Sequence, residues 1–507
     1  MDMATVTVMD TATAMAMTMT DCSVVLVHPR ERISFRSVAT CAAAALIGFP
    51  VAGTAGDWKL DDSVSARATY VDRSGGSSKN GLVLQVSPRI SLQGESAKSK
   101  ADINYRLTMS QGFGTTDPDR LSHNLVADGE VELIDDFFVL GGNATAQLVG
   151  NAPGSGPVDS INVDSTGRQS YSVQLTPQFH HHLSQYADIV SNNAIDYVGY
   201  SGSNVNGDDS SGSYTANIGV LSGRYFGVWN WSLNATRNET HYSSRDDVRS
   251  SYIAGLGYRV DAKLAVRGEA GYENNDILTT RSDTDGPTWK VGFDWNPNPR
   301  TSVNADYGQR YLGTVYSGAI KHQTRRTRLS LDFSRDIANR RTEQLYDQFF
   351  FVLDPSTGGV LVDPITGDPV LVNIPEQRQV DEDYLVTQIR AGLAVSGRRT
   401  TLNVTAVAAT REYEVSSSDE DTFGLTATLD RQLGTGLSGF VQGAITTSDV
   451  ANGADSDTYS MQVGLRKNLS PRTSASVDLL HRNHDSSTAN GDYDENRITF
   501  SVSTSFL

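Results

Sequence analysis

A two-residue alternation, sustained over almost the whole chain, constrains this fold more than any other feature. Near the end, Ile498, Phe500, Val502, Thr504 and Phe506 alternate with Arg497, Thr499, Ser501, Ser503 and Ser505. A strand sends alternate side chains to opposite faces, so such a segment has one apolar and one polar face. The same pattern recurs in Val64 to Tyr70, Tyr171 to Phe179, Trp229 to Ala235, Trp289 to Trp295, Phe423 to Leu429 and Tyr459 to Leu465. The period is 2 and not 3.6, which argues for strands and against helices. The segments are about 9 to 12 residues long, against a usual strand of about 5 to 6.

The connections alternate between two classes. Arg259 to Lys263, Asn296 to Arg300, Gln432 to Gly436 and Asn468 to Arg472 are tight, and Pro and Gly there set turn geometry. Asn151 to Gly167, Ser201 to Ser213, Asn274 to Gly286, Ser448 to Ser456 and Asp485 to Tyr493 are longer and polar. Short turns at one end and longer loops at the other are the asymmetry of an outer-membrane barrel. The expected fold is therefore all-β: a large antiparallel transmembrane barrel of about 22 strands, within a range of about 20 to 24. An even number puts both ends of the barrel on the periplasmic side. The last strand, with Ile498, Phe500, Val502 and Phe506 on its apolar row, is then the closing strand and the assembly signal. Such strands usually finish on the aromatic itself, and here Leu507 follows Phe506.

Composition fits that fold. Hydrophobic residues make up 38% of the 507, and the mean hydropathy of −0.34 is low for a helical membrane protein. About half of each strand of a water-lined barrel is polar. After residue 60 no run approaches 18 uninterrupted apolar residues, so crossing a membrane requires a closed barrel. The 59 acidic against 42 basic residues give a net charge of −17, which argues against nucleic acid as a partner.

The expected organisation is a leader over 1–55 and one barrel over 56–507. Arg30, Arg32 and Arg36 precede a small apolar run from Val38 to Ala52, followed by the small residues Gly53 to Gly56. That is the order of a secretory signal, with cleavage near Ala55. Cys22 and Cys41, the two cysteines, would leave with it, so the mature chain would hold no disulfide.

One connection, at about 337–381, is anomalous. It holds Phe349, Phe350 and Phe351, then a small duplication beginning at Asp354 and Asp363, in which Asp-Pro-x-Thr-Gly leads to Val-Leu-Val. Asp-Pro-x-Thr-Gly forms turns and Val-Leu-Val forms strands, so a hairpin inside a long loop is expected. A barrel near 22 strands has a lumen too wide for its wall side chains to fill. Either this loop folds into the lumen as a lid or plug, or it is an exterior hairpin extending two strands; the exterior hairpin is the simpler expectation.

Chemistry is sparse. The chain has no G-x-S-x-G, no H-E-x-x-H and no phosphate-cradling glycine loop leading to a helix, so no enzyme activity and no cofactor are expected. His180, His181 and His182 read as a polar turn, since three successive residues do not converge easily on one ion and no Cys or close carboxylate pair joins them. The acidic loops around Asp449 to Asp457 and Asn204 to Asp209 lack the full calcium-loop pattern.

Gly81 to Gln93, Gly271 to Asp276, Gly286 to Gly308, Leu469 to Thr473 and Asp492 to Phe506 carry a resemblance. The chain resembles the outer-membrane β-barrel proteins associated with exosortase/PEP-CTERM systems, found beside exopolysaccharide loci. These are strand and turn motifs, specific for architecture and not for a reaction. The resemblance implies an outer-membrane location and a link to exopolysaccharide export or surface-protein sorting. Expected partners are outer-membrane lipid and lipopolysaccharide, the barrel-assembly machinery, and exopolysaccharide or its export components. A general diffusion porin and a structural or adhesive barrel with a closed lumen are the alternatives.

Overall fold

The computed structural model describes residues 56–506, apart from 77, 116–119, 150–160, 162–167, 202–209, 243–244, 282–283, 340, 342–381, 452, 454 and 490. The expected leader at 1–55 and Leu507 therefore lie outside the described residues. So do Phe349, Phe350, Phe351, Asp354 and Asp363 of the long loop.

The described residues form one antiparallel sheet that closes on itself. In chain order its strands are β1 (Gly56–Ser74), β2 (Lys79–Ser96), β3 (Ser99–Gly114), β4 (Arg120–Ile134), β5 (Phe138–Val149), β6 (Arg168–Leu183), β7 (Ala187–Asn192) and β8 (Ala194–Ser201). They continue as β9 (Ser211–Ser222), β10 (Trp229–His241), β11 (Asp246–Arg259), β12 (Leu264–Asp276), β13 (Gly286–Asn298), β14 (Thr301–Arg310), β15 (Gly313–Gln323) and β16 (Thr327–Asn339). The wall is completed by β17 (Asp383–Ser396), β18 (Thr400–Tyr413), β19 (Asp419–Gly434), β20 (Leu437–Val450), β21 (Ser456–Asn468), β22 (Thr473–Ser486) and β23 (Tyr493–Ser505). The short strands β7 and β8 are halves of one crossing. Both pair β6 on one side and β9 on the other, in an unchanged register. The break falls at Asn193, whose N–H donates to the Pro177 carbonyl (3.0 Å). Pro177 has no N–H to return, so the ladder lapses there. The barrel thus has 22 crossings, within the expected range.

Closure is made by β1 and β23, antiparallel from Ser63↔Ser505 to Ser74↔Asp494. The register puts Ala68 opposite Phe500 and Thr69 opposite Thr499, so the two apolar rows share one face. Phe500 is 61% exposed whereas Thr499 is 8%. The apolar row therefore faces outward, to lipid, and the polar row inward. The expected closing-strand residues Ile498, Phe500, Val502 and Phe506 all lie exposed on that outer face. No helix of the described residues is long and apolar enough to cross a membrane; this chain crosses with strands.

The outer band has the height of an outer membrane. On β1 exposed Leu60 and Tyr70 mark its two edges. Ten residues at ~3.4 Å each, tilted by ~40°, rise about 26 Å, close to the ~25 Å apolar band of such barrels. Exposed aromatics gather at both edges: Tyr70, Tyr252, Tyr272 and Tyr307 at the loop end, Trp229, Trp295, Phe179 and Tyr258 at the turn end. Their amphipathic rings suit the headgroup level. The protein is an outer-membrane β-barrel.

The turns are as the sequence predicts. Pro299 and Arg300 alone join β13 to β14, and Thr435 and Gly436 join β19 to β20. Gly436 has φ +63, in the left-handed region that a tight hairpin requires. At the extracellular end one hairpin departs from expectation: β14 and β15 are joined by just Tyr311 and Leu312. These two strands are among the shortest, and they leave a notch in the extracellular rim.

Candidate gate at the extracellular mouth

The inward face is mostly polar, with apolar Val83, Val198, Val407 and Phe440 buried on it, and its two halves differ. Towards the extracellular end Gln85, Ser87, Ser110, Ser172, Gln174, Ser213, Glu420, Ser448, Glu495 and Arg497 are buried. Towards the periplasmic end Gln93, Asp102, His182, Asn296, Asn298 and Lys321 retain exposure. A cavity of about 900 Å³ opens on that lower side, lined by Asn298, Lys321, Arg328, Ser330, Asp332 and Arg390 among others.

Ion pairs cross the extracellular mouth. Arg249, on β11, places Nη2 2.7 Å from Oδ1 of Asp383 at the start of β17. The Tyr311 hydroxyl donates to the other oxygen of Asp383 (2.8 Å), and Asn339 Nδ2 donates to Oδ1 (3.2 Å). Burial, and then the facing Asp383 carboxylate, push the Tyr311 phenol well above its usual range. Further round, Arg341 Nη1 donates to the Ser211 carbonyl (2.7 Å) and Nη2 to the Asp196 carbonyl (3.0 Å), and the guanidinium also pairs with the Asp196 carboxylate. Arg341 and Asp196 are both buried.

The spacing of these partners decides what they mean. A round barrel of 22 strands ~4.8 Å apart and tilted ~40° has a diameter of about 44 Å. Points six strands apart, as β11 and β17 are, would then be separated by about 33 Å. Points eight strands apart, as β8 and β16 are, would be about 40 Å apart. An arginine side chain reaches only about 7 Å from its Cα, by standard bond lengths. Direct hydrogen bonds therefore require the two sides of the extracellular mouth to approach far more closely than in a round barrel.

Further contacts tie the connections around the mouth. Glu382 accepts hydrogen bonds from the backbone N–H groups of Val415 (2.6 Å) and Ser416 (3.1 Å), in the β18–β19 connection. Arg281, from the β12–β13 connection, donates through Nε to Glu414 (2.9 Å) and through Nη2 to the Leu312 carbonyl (3.4 Å). Thr279 also donates to Glu414 (2.9 Å). The β12–β13 and β18–β19 connections thus meet above the notch left by Tyr311 and Leu312.

Below them the wall from β12 to β18 carries a ladder of ion pairs. Arg267 grips Asp306 through Nε (2.9 Å) and Nη2 (2.7 Å) and also pairs with Asp294. Arg310 bridges Glu273 (2.8 Å) and Asp336 (2.9 Å), and Arg335 reaches Glu412 (3.0 Å). Forked arginine–carboxylate pairs hold both distance and angle, so this arc of wall is stiff.

The seam between β1 and β23 has its own clasp. Glu495 is fully buried and takes Arg73 through Nε (2.9 Å) and Nη2 (2.8 Å). Arg497 lies 2.6 Å from its other oxygen, and the Arg73 guanidinium stacks 4.1 Å over the Tyr493 ring. The closing strand found from sequence is thus held by more than its backbone ladder.

The long loop itself lies outside the described residues, and its flanks are described. Strand β16 runs on to Asn339, past the expected start at 337, and Asn339, Arg341, Glu382 and Asp383 are all buried. The choice between a lumen lid and an exterior hairpin falls on residues outside the described ones. The gate residues themselves were missed in the sequence. Arg249 and Asp383 each occupy an unremarkable position, and 134 residues separate them. The histidine reading also changes. His180 and His182 share the inward face, and the register places Asp188 opposite His182, with Nδ1 and Oδ1 2.5 Å apart. A carboxylate does join the histidines.

No family model and no curated protein matches the chain. Among solved structures it is similar to a mutant ferric enterobactin receptor from Pseudomonas aeruginosa, at 11% identity and a TM-score of 0.47, over 88% of this chain and 80% of that one. It is similar to the siderophore receptor PirA from Acinetobacter baumannii at 9% identity and 0.48, over 88% and 80%. It is also similar to the FrpB iron transporter from Neisseria meningitidis at 9% and 0.48, over 92% and 84%. No binding residue carries over at such identities.

Proposed function

We propose that this barrel is a gated outer-membrane conduit for a hydrated polar cargo, and that the cargo is exopolysaccharide of an exosortase/PEP-CTERM-type system. The observation that carries the gated conduit is the set of pairs across the mouth, Arg249–Asp383 and Arg341–Asp196. A passive porin has no use for a rim drawn shut by buried charges, and a purely structural barrel has none for a wet cavity on the periplasmic side. Hydroxyl, amide and guanidinium groups on the inner wall suit a sugar chain, whose hydroxyls both donate and accept. The exopolysaccharide assignment itself draws on the strand and turn resemblance at Gly81 to Gln93 and Gly286 to Gly308. Gate opening would break ion pairs at a rim and leave the wall's ladder intact. The barrel-assembly machinery would recognise β23 through Ile498, Phe500, Val502 and Phe506.

Deletion of the gene, with secreted and periplasmic polysaccharide measured in the same cells, tests the reading. Loss of secreted polymer with accumulation in the periplasm is expected. Unchanged secretion overturns the export assignment and leaves the barrel assignment standing.

A further inference from the structure

We propose that His180, His182 and Asp188 form a binding site for one divalent transition-metal ion at the periplasmic rim of the lumen. Among the described residues this is the group of His, Cys, Asp or Glu side chains near enough to share an ion, with one ligand atom from each within 4.8 Å of the others. The arrangement follows from strand geometry. His180 and His182 are two residues apart on β6 and project to the same face. Phe179 is exposed on the lipid face, so the two histidines face the lumen. A tight turn at 184–186 returns the chain as β7 and sets Asp188 across from His182. Ser184, at φ +63, makes that turn. Two imidazoles and a carboxylate therefore come from a single rigid hairpin.

The geometry is close to that of a bound ion. The His180 and His182 rings lie 4.2 Å apart, centroid to centroid, at 74°. His182 Nδ1 and Asp188 Oδ1 are hydrogen-bonded at 2.5 Å. Two ligands of one ion at ~2.1 Å stand about 3.0–3.4 Å apart. The ion replaces the shared proton, that pair opens by under about 1 Å, and His180 closes by a side-chain rotation. Water fills the remaining positions from the lumen, because the His182 side chain is 60% exposed.

The donor set selects the ion. Two imidazole nitrogens with one carboxylate oxygen suit Zn²⁺, Ni²⁺ and Cu²⁺, whereas Ca²⁺ and Mg²⁺ prefer oxygen throughout. Cu²⁺ should bind most tightly of the three by the general order of affinities. His181 points the other way, with its ring edge-on to Phe137 at 6.5 Å, and serves as the control.

The test is titration of the untagged full-length barrel in detergent with Zn²⁺ and, separately, Cu²⁺. One equivalent should bind, and the Cu²⁺ spectrum should show coupling to two imidazole nitrogens. His182→Ala and Asp188→Asn should weaken that site by about tenfold or more, with the heat-modifiable gel shift of the folded barrel retained. His181→Ala should leave affinity and spectrum unchanged. Equal loss in His181→Ala, or a spectrum with no imidazole coupling, would overturn the proposal. So would one equivalent still bound after His180→Ala and His182→Ala together.

Discussion

The two ends of this lumen are built from the same wall and do opposite things. At the periplasmic end, strands finish in tight turns such as Pro299-Arg300, and inward residues stay open to water above a cavity of about 900 Å³. At the extracellular end, the strands run on past the membrane and inward residues are buried. There charged residues pair across the opening as well as along the wall. The contrast places the charge pairing across the lumen at one end of the barrel and the open polar wall at the other. Arg341 and Arg249 reach partners eight and six strands away, so the mouth is narrower there than a round section would leave it. The strands below keep their register throughout.

The difference can be broken most strongly at the seam. Glu495→Ala strands Arg73 and Arg497 in a buried site, and losing one partner of such a pair costs about 3–5 kcal/mol. The expected result is a fall in the temperature at which the compact gel form is lost. Ser503→Ala, lower on the same strand, should change it by less than about 0.5 kcal/mol. On the outer face Phe500→Arg should cost about 2–4 kcal/mol, the usual charge of placing a cation against lipid, measured by urea unfolding in lipid vesicles. Ser501→Arg, its inward neighbour, is already among polar groups and should cost less.

Asp383→Ala removes the shared acceptor of Arg249, Tyr311 and Asn339. It should loosen the mouth by about 2–3 kcal/mol, since breaking a buried pair is costly but rim water reaches part of it. Hydrogen exchange at the extracellular ends of β16 and β17 should accelerate, with no change at their periplasmic ends. The smallest effect belongs to the periplasmic turns. Lys98 and Asp135 pair there on the exposed surface, and Lys98→Ala should leave the temperature at which the compact gel form is lost unchanged.

Much of the wall was legible in sequence, and the gate was not. Phe500 and Thr499 announce their faces because the period of a strand is exactly two residues, so local pattern is enough. Pro299-Arg300 and Gly436 announce turns because their backbone preferences are local as well. The strand count followed from both. The notch at Tyr311 and Leu312 was missed because the longer loops are expected at that end, although Gly313, at φ +148, closes the turn. Arg249 meets Asp383 only once six strands are stacked and the mouth narrows, and no local signal encodes that. Asp188 lies between these cases. Its place opposite His182 could be read from the chain, but only by first fixing the turn at 184–186 and then counting back along both strands.

The most direct test of the closed mouth is single-channel conductance of the purified barrel in a planar bilayer, for the native chain and for Arg249→Ala with Arg341→Ala. The native barrel should pass little or no current, and the double variant should open to steady large conductance or long open bursts. A native barrel that already conducts steadily, at the same level as the variant, would contradict the gate.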